Sequence, residues 1–148
     1  MISLLTFIRT GRLGEVGLGA PREEVEAAFG SPPSWDAQSQ PESAQIWKYG
    51  AMEIYFDEHR VWMIFTDDLR SDLNMGDIAF DASCIDGKMS ASDVEEWLVT
   101  NAFEFKREGY SWCDEGVRFQ TNSGVTLTLC ADEEGKLARL CSLALVRR

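Results

Sequence analysis

Two stretches of this chain space their apolar residues three and four apart, as one stripe of a helix requires. In "GLGAPREEVEAAFG" the stripe holds Val25, Ala28 and Phe29 among glutamates; in "GKMSASDVEEWLV" it holds Val94, Trp97 and Leu98. A shift of 69 residues superposes Val25 on Val94, Glu26 on Glu95, Ala28 on Trp97 and Phe29 on Leu98. The two helices open differently. Pro21 suits a first turn, where its missing N–H costs nothing. Ser92 and Glu95 have the spacing of a capping box, in which two orphan backbone donors are satisfied reciprocally. Gly30, with Pro32 and Pro33 behind it, stops the first helix, and Asn101 ends the second.

After each helix the period drops to two, the signature of a strand with one buried and one open face. Beyond "IWKYG", Met52, Ile54 and Phe56 alternate with Glu53 and Tyr55, and "DEHR" turns into a strand over 61–66. Beyond "GVRFQT", Val125, Leu127 and Leu129 alternate with Thr126 and Thr128, and "ADEEGK" turns into a strand over 137–145. Gly50 and Gly124 each precede the middle strand. Residues 61–66 are large and apolar at both parities, so the pattern leaves open which face they bury. One helix over three strands covers too little apolar surface to stand alone.

The pattern therefore predicts an α+β fold: two tandem αβββ units sharing one antiparallel sheet, helices packed on one face and the other face open. The first unit covers about 1–76 with an extra N-terminal helix and the second about 77–148, all in one domain. "SPPSWDAQSQPESAQ" predicts a surface loop, and "DDLRSDLNMGDIAFDAS" a linker with an extra strand at 77–80.

"LGAPREEVEAAFGSP" followed by the Trp-Lys-Tyr strand of "IWKYG" resembles the small outer-membrane-assembly lipoproteins of the SmpA/OmlA type. In that family a Gly-x-x-x-x-x-Val helix, an "FGxP" stop and a three-stranded meander recur. The tandem arrangement is similar to the beta-lactamase inhibitor protein fold. The resemblance covers 17–65 well and 88–145 more loosely, and its motifs are structural. Those lipoproteins carry a lipidated cysteine after a signal peptide; this sequence shows neither, so outer-membrane assembly is not carried over. The resemblance implies a module whose relatives bind other proteins and are not enzymes. Immunity proteins of toxin systems are a further analogy at the level of fold alone.

Charge narrows the classes. With 14 basic against 25 acidic residues the net charge is −11, which repels phosphate backbones and disfavours nucleic acid. A basic protein partner would be attracted and steered; the plainer reading is that acidity keeps the chain soluble. No apolar run reaches the roughly 20 residues that span a bilayer. "MISLLTFIRTGRLGEV" lacks the basic region and cleavage site of a signal peptide, and is expected to fold as an amphipathic helix of a cytoplasmic protein. Cys84, Cys113, Cys130 and Cys141 show no metal-site spacing and are expected as reduced thiols.

Catalytic groups are sparse. His59, the single histidine, falls in the "DEHR" turn, where a solvated side chain is the usual outcome. A pair with Cys113 is disfavoured because Asp114 and Glu115 follow the thiol and raise its pKa. "TGRLGEVGLG" lacks the Lys-Ser/Thr of a phosphate loop. Asp67 with Asp68, Asp114 with Glu115, and Asp132 with Glu133 and Glu134 fall in loops without calcium-loop spacing. No metal and no cofactor are expected. Exposed aromatics beside acids suit a partner surface, although rings such as Trp47, Tyr49 and Trp97 equally suit a core. The candidate contacts are Glu53, Tyr55, Trp112, Asp114 and Glu115. The expected function is non-enzymatic protein binding, as an inhibitor or immunity-type protein. A small-molecule binder or enzyme with a site between the repeats, and an oligomeric scaffold pairing exposed sheet edges, are the alternatives.

Overall fold

Helices form where the three-four spacing falls and end where the capping residues stand. The computed structural model of this chain describes residues 1–36, 39–69, 73–109, 116–131 and 138–148. Among them are helices α1 (Leu4–Thr10), α2 (Arg22–Phe29) and α3 (Ala91–Thr100). α1 is capped by Ser3, whose Oγ accepts from the Thr6 N–H at 3.3 Å, and it closes on Gly11 in the left-handed region at φ 72°. α2 has Pro21 as its N-cap, one residue outside the helix. The capping box of α3 is Ser90 with Asp93 rather than Ser92 with Glu95. The Asp93 N–H donates to Ser90 Oγ at 3.2 Å, and the Ser90 N–H to Asp93 Oδ2 at 2.9 Å. Ser92 thus falls inside the first turn, where its hydroxyl cannot cap.

The strands are β1 (Ile2–Ser3), β2 (Ser34–Trp35), β3 (Ile46–Tyr49), β4 (Met52–Asp57), β5 (Arg60–Thr66), β6 (Phe80–Asp81), β7 (Phe105–Gly109), β8 (Val117–Thr121), β9 (Thr126–Cys130) and β10 (Arg139–Val146). Eight of them form one antiparallel sheet in the order β2-β3-β4-β5-β10-β9-β8-β7. β1 and β6 form a separate parallel pair, which is where the strand expected at 77–80 is found, shifted to Phe80–Asp81. The protein is α+β. Three strands lie outside the sequence expectation: β1, inside the stretch expected as an N-terminal helix, β2, inside the stretch expected as a loop, and β7, whose charges at 106–108 hide its alternation.

At the centre, β5 and β10 pair antiparallel with Phe65 opposite Ala144 and Ile64 opposite Leu145. Each of these two strands carries a bulge near its start. On β5, Tyr55 faces Met63 while Phe56 faces Val61, leaving Trp62 as the extra residue; on β10, Cys141 is the extra one. A bulge flips the parity of everything beyond it. Val61, Ile64 and Thr66 therefore all point inward, while Met63 and Phe65 point to the other face. The bulge is what residues 61–66 left undecided.

One side of the sheet is buried. Trp47, Tyr49, Met52, Ile54, Ile64, Phe119, Leu127, Leu129, Leu143 and Leu145 join Leu4, Phe7 and Ile8 of α1, Val25 and Phe29 of α2, and Val94 and Leu98 of α3 in one core. Trp97, on the flank of the α3 stripe, is half-buried and packs on Phe103 with ring centroids 5.2 Å apart. Cys130 and Cys141, expected as reduced thiols, form a disulfide between β9 and β10, with Cα atoms 6.0 Å apart. Neighbouring antiparallel strands bring two cysteines into bonding range, which residue spacing alone does not announce. Cys84 is a free, half-buried thiol, pushed up to about 11 by burial, with Asp81 adding to the shift. No helix of the described residues is long and apolar enough to cross a membrane.

Candidate functional site

Residues directly opposite each other in an antiparallel sheet project from the same face. Following the register outward from Glu53 and Tyr55 therefore maps the face that the helices leave uncovered. One row runs Ile46, Tyr55, Met63, Val146. The next runs Lys48, Glu53, Phe65, Ala144, Thr126, Gln120, Lys106. A third, confined to the second half, runs Ser142, Thr128, Arg118, Glu108. The face is thus divided: apolar and aromatic over β3–β5, hydroxyl-rich and polar over β8–β10.

Tyr55 is the centre of the apolar part. Its ring meets Trp62 and Phe65 edge-on, with centroids 5.9 and 6.4 Å away. Its hydroxyl donates to Glu53 Oε2 at 2.8 Å, and Lys48 Nζ lies 3.6 Å from Glu53 Oε1. Partial burial raises the Tyr55 phenol to about 12, helped by its hydrogen bond to Glu53 and by the charges of Glu53 and Asp67. The hydroxyl stays protonated, a donor fixed on a carboxylate. Three half-buried rings packed in this way form a platform beside the Lys48–Glu53 ion pair.

Glu53 and Tyr55 are therefore neighbours, as their alternation requires. Trp112, Asp114 and Glu115 fall between β7 and β8 in the chain and lie outside the described residues, as do Tyr110, Cys113 and the acids at 132–134. The described part of the face is nearly balanced in charge, with Glu53 and Glu108 beside Lys48, Lys106 and Arg118. Asp67 and Asp68 are exposed just past β5. Among the described residues no group of three His, Cys, Asp or Glu side chains could hold a metal ion.

A second feature escaped the sequence pattern. Arg22, on the first turn of α2, is only 7% exposed and lines a cavity of about 570 Å³. That cavity lies within the first half, between α2, residues 31–35 and 41–42, β3 and the β4–β5 turn, and not between the halves. His59 stands exposed at its mouth. The signal was present: Arg22 precedes Val25 by three and Phe29 by seven, on the apolar stripe itself.

No family model, curated protein or solved structure matches this chain.

Proposed function

We propose that this chain is a non-enzymatic module that binds another protein through the open face of its sheet. The observation that carries the reading is the platform of Tyr55, Trp62 and Phe65, with Tyr55 packed at a steep angle against each of the other two rings on the sheet side opposite the helices. Interface centres are enriched in such aromatics, and a charged group beside them fixes register. An inhibitor or immunity-type protein is the concrete version, with a basic partner drawn by the net charge of −11. The reading also takes the halves as copies of one unit. Their matching helix stripes, the mirror-related strand order about β5 and β10, and a bulge near the start of each central strand support that.

A photoreactive phenylalanine analogue placed at Tyr55, and in a second variant at Glu24 on the exposed face of α2, tests the site in cells. One partner captured from position 55 and not from 24, in a salt-weakened complex, is the expected result. Equal capture from both positions, or none from 55, counts against it. A cytoplasmic setting belongs to the same reading and expects Cys130 and Cys141 to be labelled by a thiol reagent in freshly lysed cells. Resistance to labelling until a reductant is added argues for an oxidising compartment.

A further inference from the structure

Where β10 runs out, the surface holds a hollow whose charge is the reverse of the chain's. Acids outnumber bases 25 to 14 over the whole sequence. The side chains around this cavity of about 430 Å³ nevertheless include Lys106, Arg147 and Arg148 and, among the described residues, no acid. Separate elements bring them together. Lys106 stands on β7 opposite Gln120 of β8, in the second row of the face that the helices leave uncovered. Arg147 and Arg148 follow β10, and the β8–β9 turn adds Asn122 and Gly124. All three cations are exposed, so a molecule in the hollow can reach them.

The cations are also available. Lys106 and Arg148 have no ion-pair partner among the described residues. Arg147 Nη2 meets Asp57 Oδ2 at 3.2 Å, with both side chains more than half exposed. Such an exposed pair is weak and yields to a better anion. Glu104 stands outside the hollow and holds the Asn122 side-chain amide. Glu108 lines a smaller adjoining hollow together with Arg118. Gln120, half-exposed, adds a neutral amide beside Lys106, and Leu18 and Val146 give the cavity an apolar wall. Grouped cations repel one another, and an anion among them relieves that repulsion. The net charge of −11 is spread over the molecule and screened beyond about 8 Å at physiological salt, whereas these cations act at contact.

We propose that this hollow binds a small organic phosphate monoester. A carboxylate presents two oxygens in one plane. A phosphate presents three acceptor oxygens and close to two negative charges, which suits donors arriving from β7, from β8 and from the end of β10. Lys106 and Arg148 hold the phosphate, the Gln120 amide donates beside them, and the body of the ester lies along Leu18 and Val146. None of the three rings of the Tyr55 platform lines the hollow, so the inference stands or falls apart from partner binding.

The test uses the whole chain and three probes at matched ionic strength. They are phenyl phosphate, benzenesulfonate, which keeps the ring with a single charge, and inorganic phosphate, which lacks the ring. Binding is read by calorimetry and by the resonances of the Gln120 side-chain amide and the Gly124 backbone N–H. Phenyl phosphate is expected to shift both resonances and to bind at least about fivefold more tightly than either control. Lys106→Gln and Arg148→Gln are each expected to weaken it at least about threefold. Lys88→Gln, which removes an exposed lysine just before α3, leaves binding unchanged. Arg148 is exposed and lies past the last strand, so its replacement keeps the parent's Tm and a loss of binding there is not a loss of fold. The proposal is overturned if phenyl phosphate shifts neither resonance at about 10 mM, or if either control binds as tightly. It is equally overturned if Arg148→Gln has no effect, or if Lys88→Gln weakens binding as much, which would make the attraction diffuse.

Discussion

At the scale of single residues, Gly50 is the position where the backbone leaves least choice. It turns from β3 into β4 at φ 58°, and an added Cβ would stand 2.5 Å from the Gly76 nitrogen and 2.6 Å from the Asn74 carbonyl oxygen. Both obstacles are backbone, so no rotamer relieves them. Gly50→Ala is expected to destabilise the chain by about 2–4 kcal/mol, from the left-handed conformation and the clash together, as read by urea unfolding. Tyr55 gives a second test through pH. Its folded pKa of about 12 lies above the ordinary phenol value of 10.0, so the folded state holds the proton more tightly. The stabilising contribution is complete below pH 10 and is lost as pH rises toward 12. Tyr55→Phe should flatten the fall of Tm across that window; an unchanged alkaline limb would show the phenol to be uncoupled from folding.

At the scale of elements, caps and edges carry the testable content. The Ser90–Asp93 box closes the start of α3, and Ser90→Ala is expected to cost about 1 kcal/mol. Hydrogen bonds from the Ser90 backbone and side chain hold the Asp93 carboxyl below its usual range. That contribution is present above pH 4 and lost on acidification, so Asp93→Asn should flatten the acid limb of the Tm profile. β7 is the outer edge of the sheet, paired to β8 alone among the described strands. Lys106, Arg107 and Glu108 stand exposed along it, the charged guard that keeps an edge from pairing with another chain. Replacing Lys106 and Glu108 together with valine should produce concentration-dependent association in light scattering. The same charges explain why β7 was illegible: period two is read from hydrophobicity, and an edge strand must not display it. α2, α3 and the β4 and β9 alternations were legible because each buries one face against the core.

At the scale of the molecule, the decisive feature is the central pairing of β5 with β10. Leu143 there is fully buried opposite Thr66, in a core that draws on both halves. Leu143→Ala should cost about 2–5 kcal/mol and move the unfolding of the whole chain. Circular dichroism and tryptophan fluorescence should report one coincident transition before and after the change. Two separated transitions would mean that each half keeps a core of its own.

Sequence alone was enough for the elements whose signal is local: helix stripes, strand alternation, the turn glycines, and the adjacency of Glu53 and Tyr55 on one face. These follow from bond geometry, which repeats every 3.6 or two residues whatever lies across the fold. Tertiary structure decided what depends on a partner distant in the chain. The bulges at Trp62 and Cys141 are defined only against a neighbouring strand, and so are the faces that β5 and β10 bury. The Cys130–Cys141 bond is set by register, not spacing. Arg22 reads as polar in the sequence and is buried in the fold, because the rings of Trp47 and Phe56 and the Glu58 carbonyl, all distant in the chain, pack against its guanidinium.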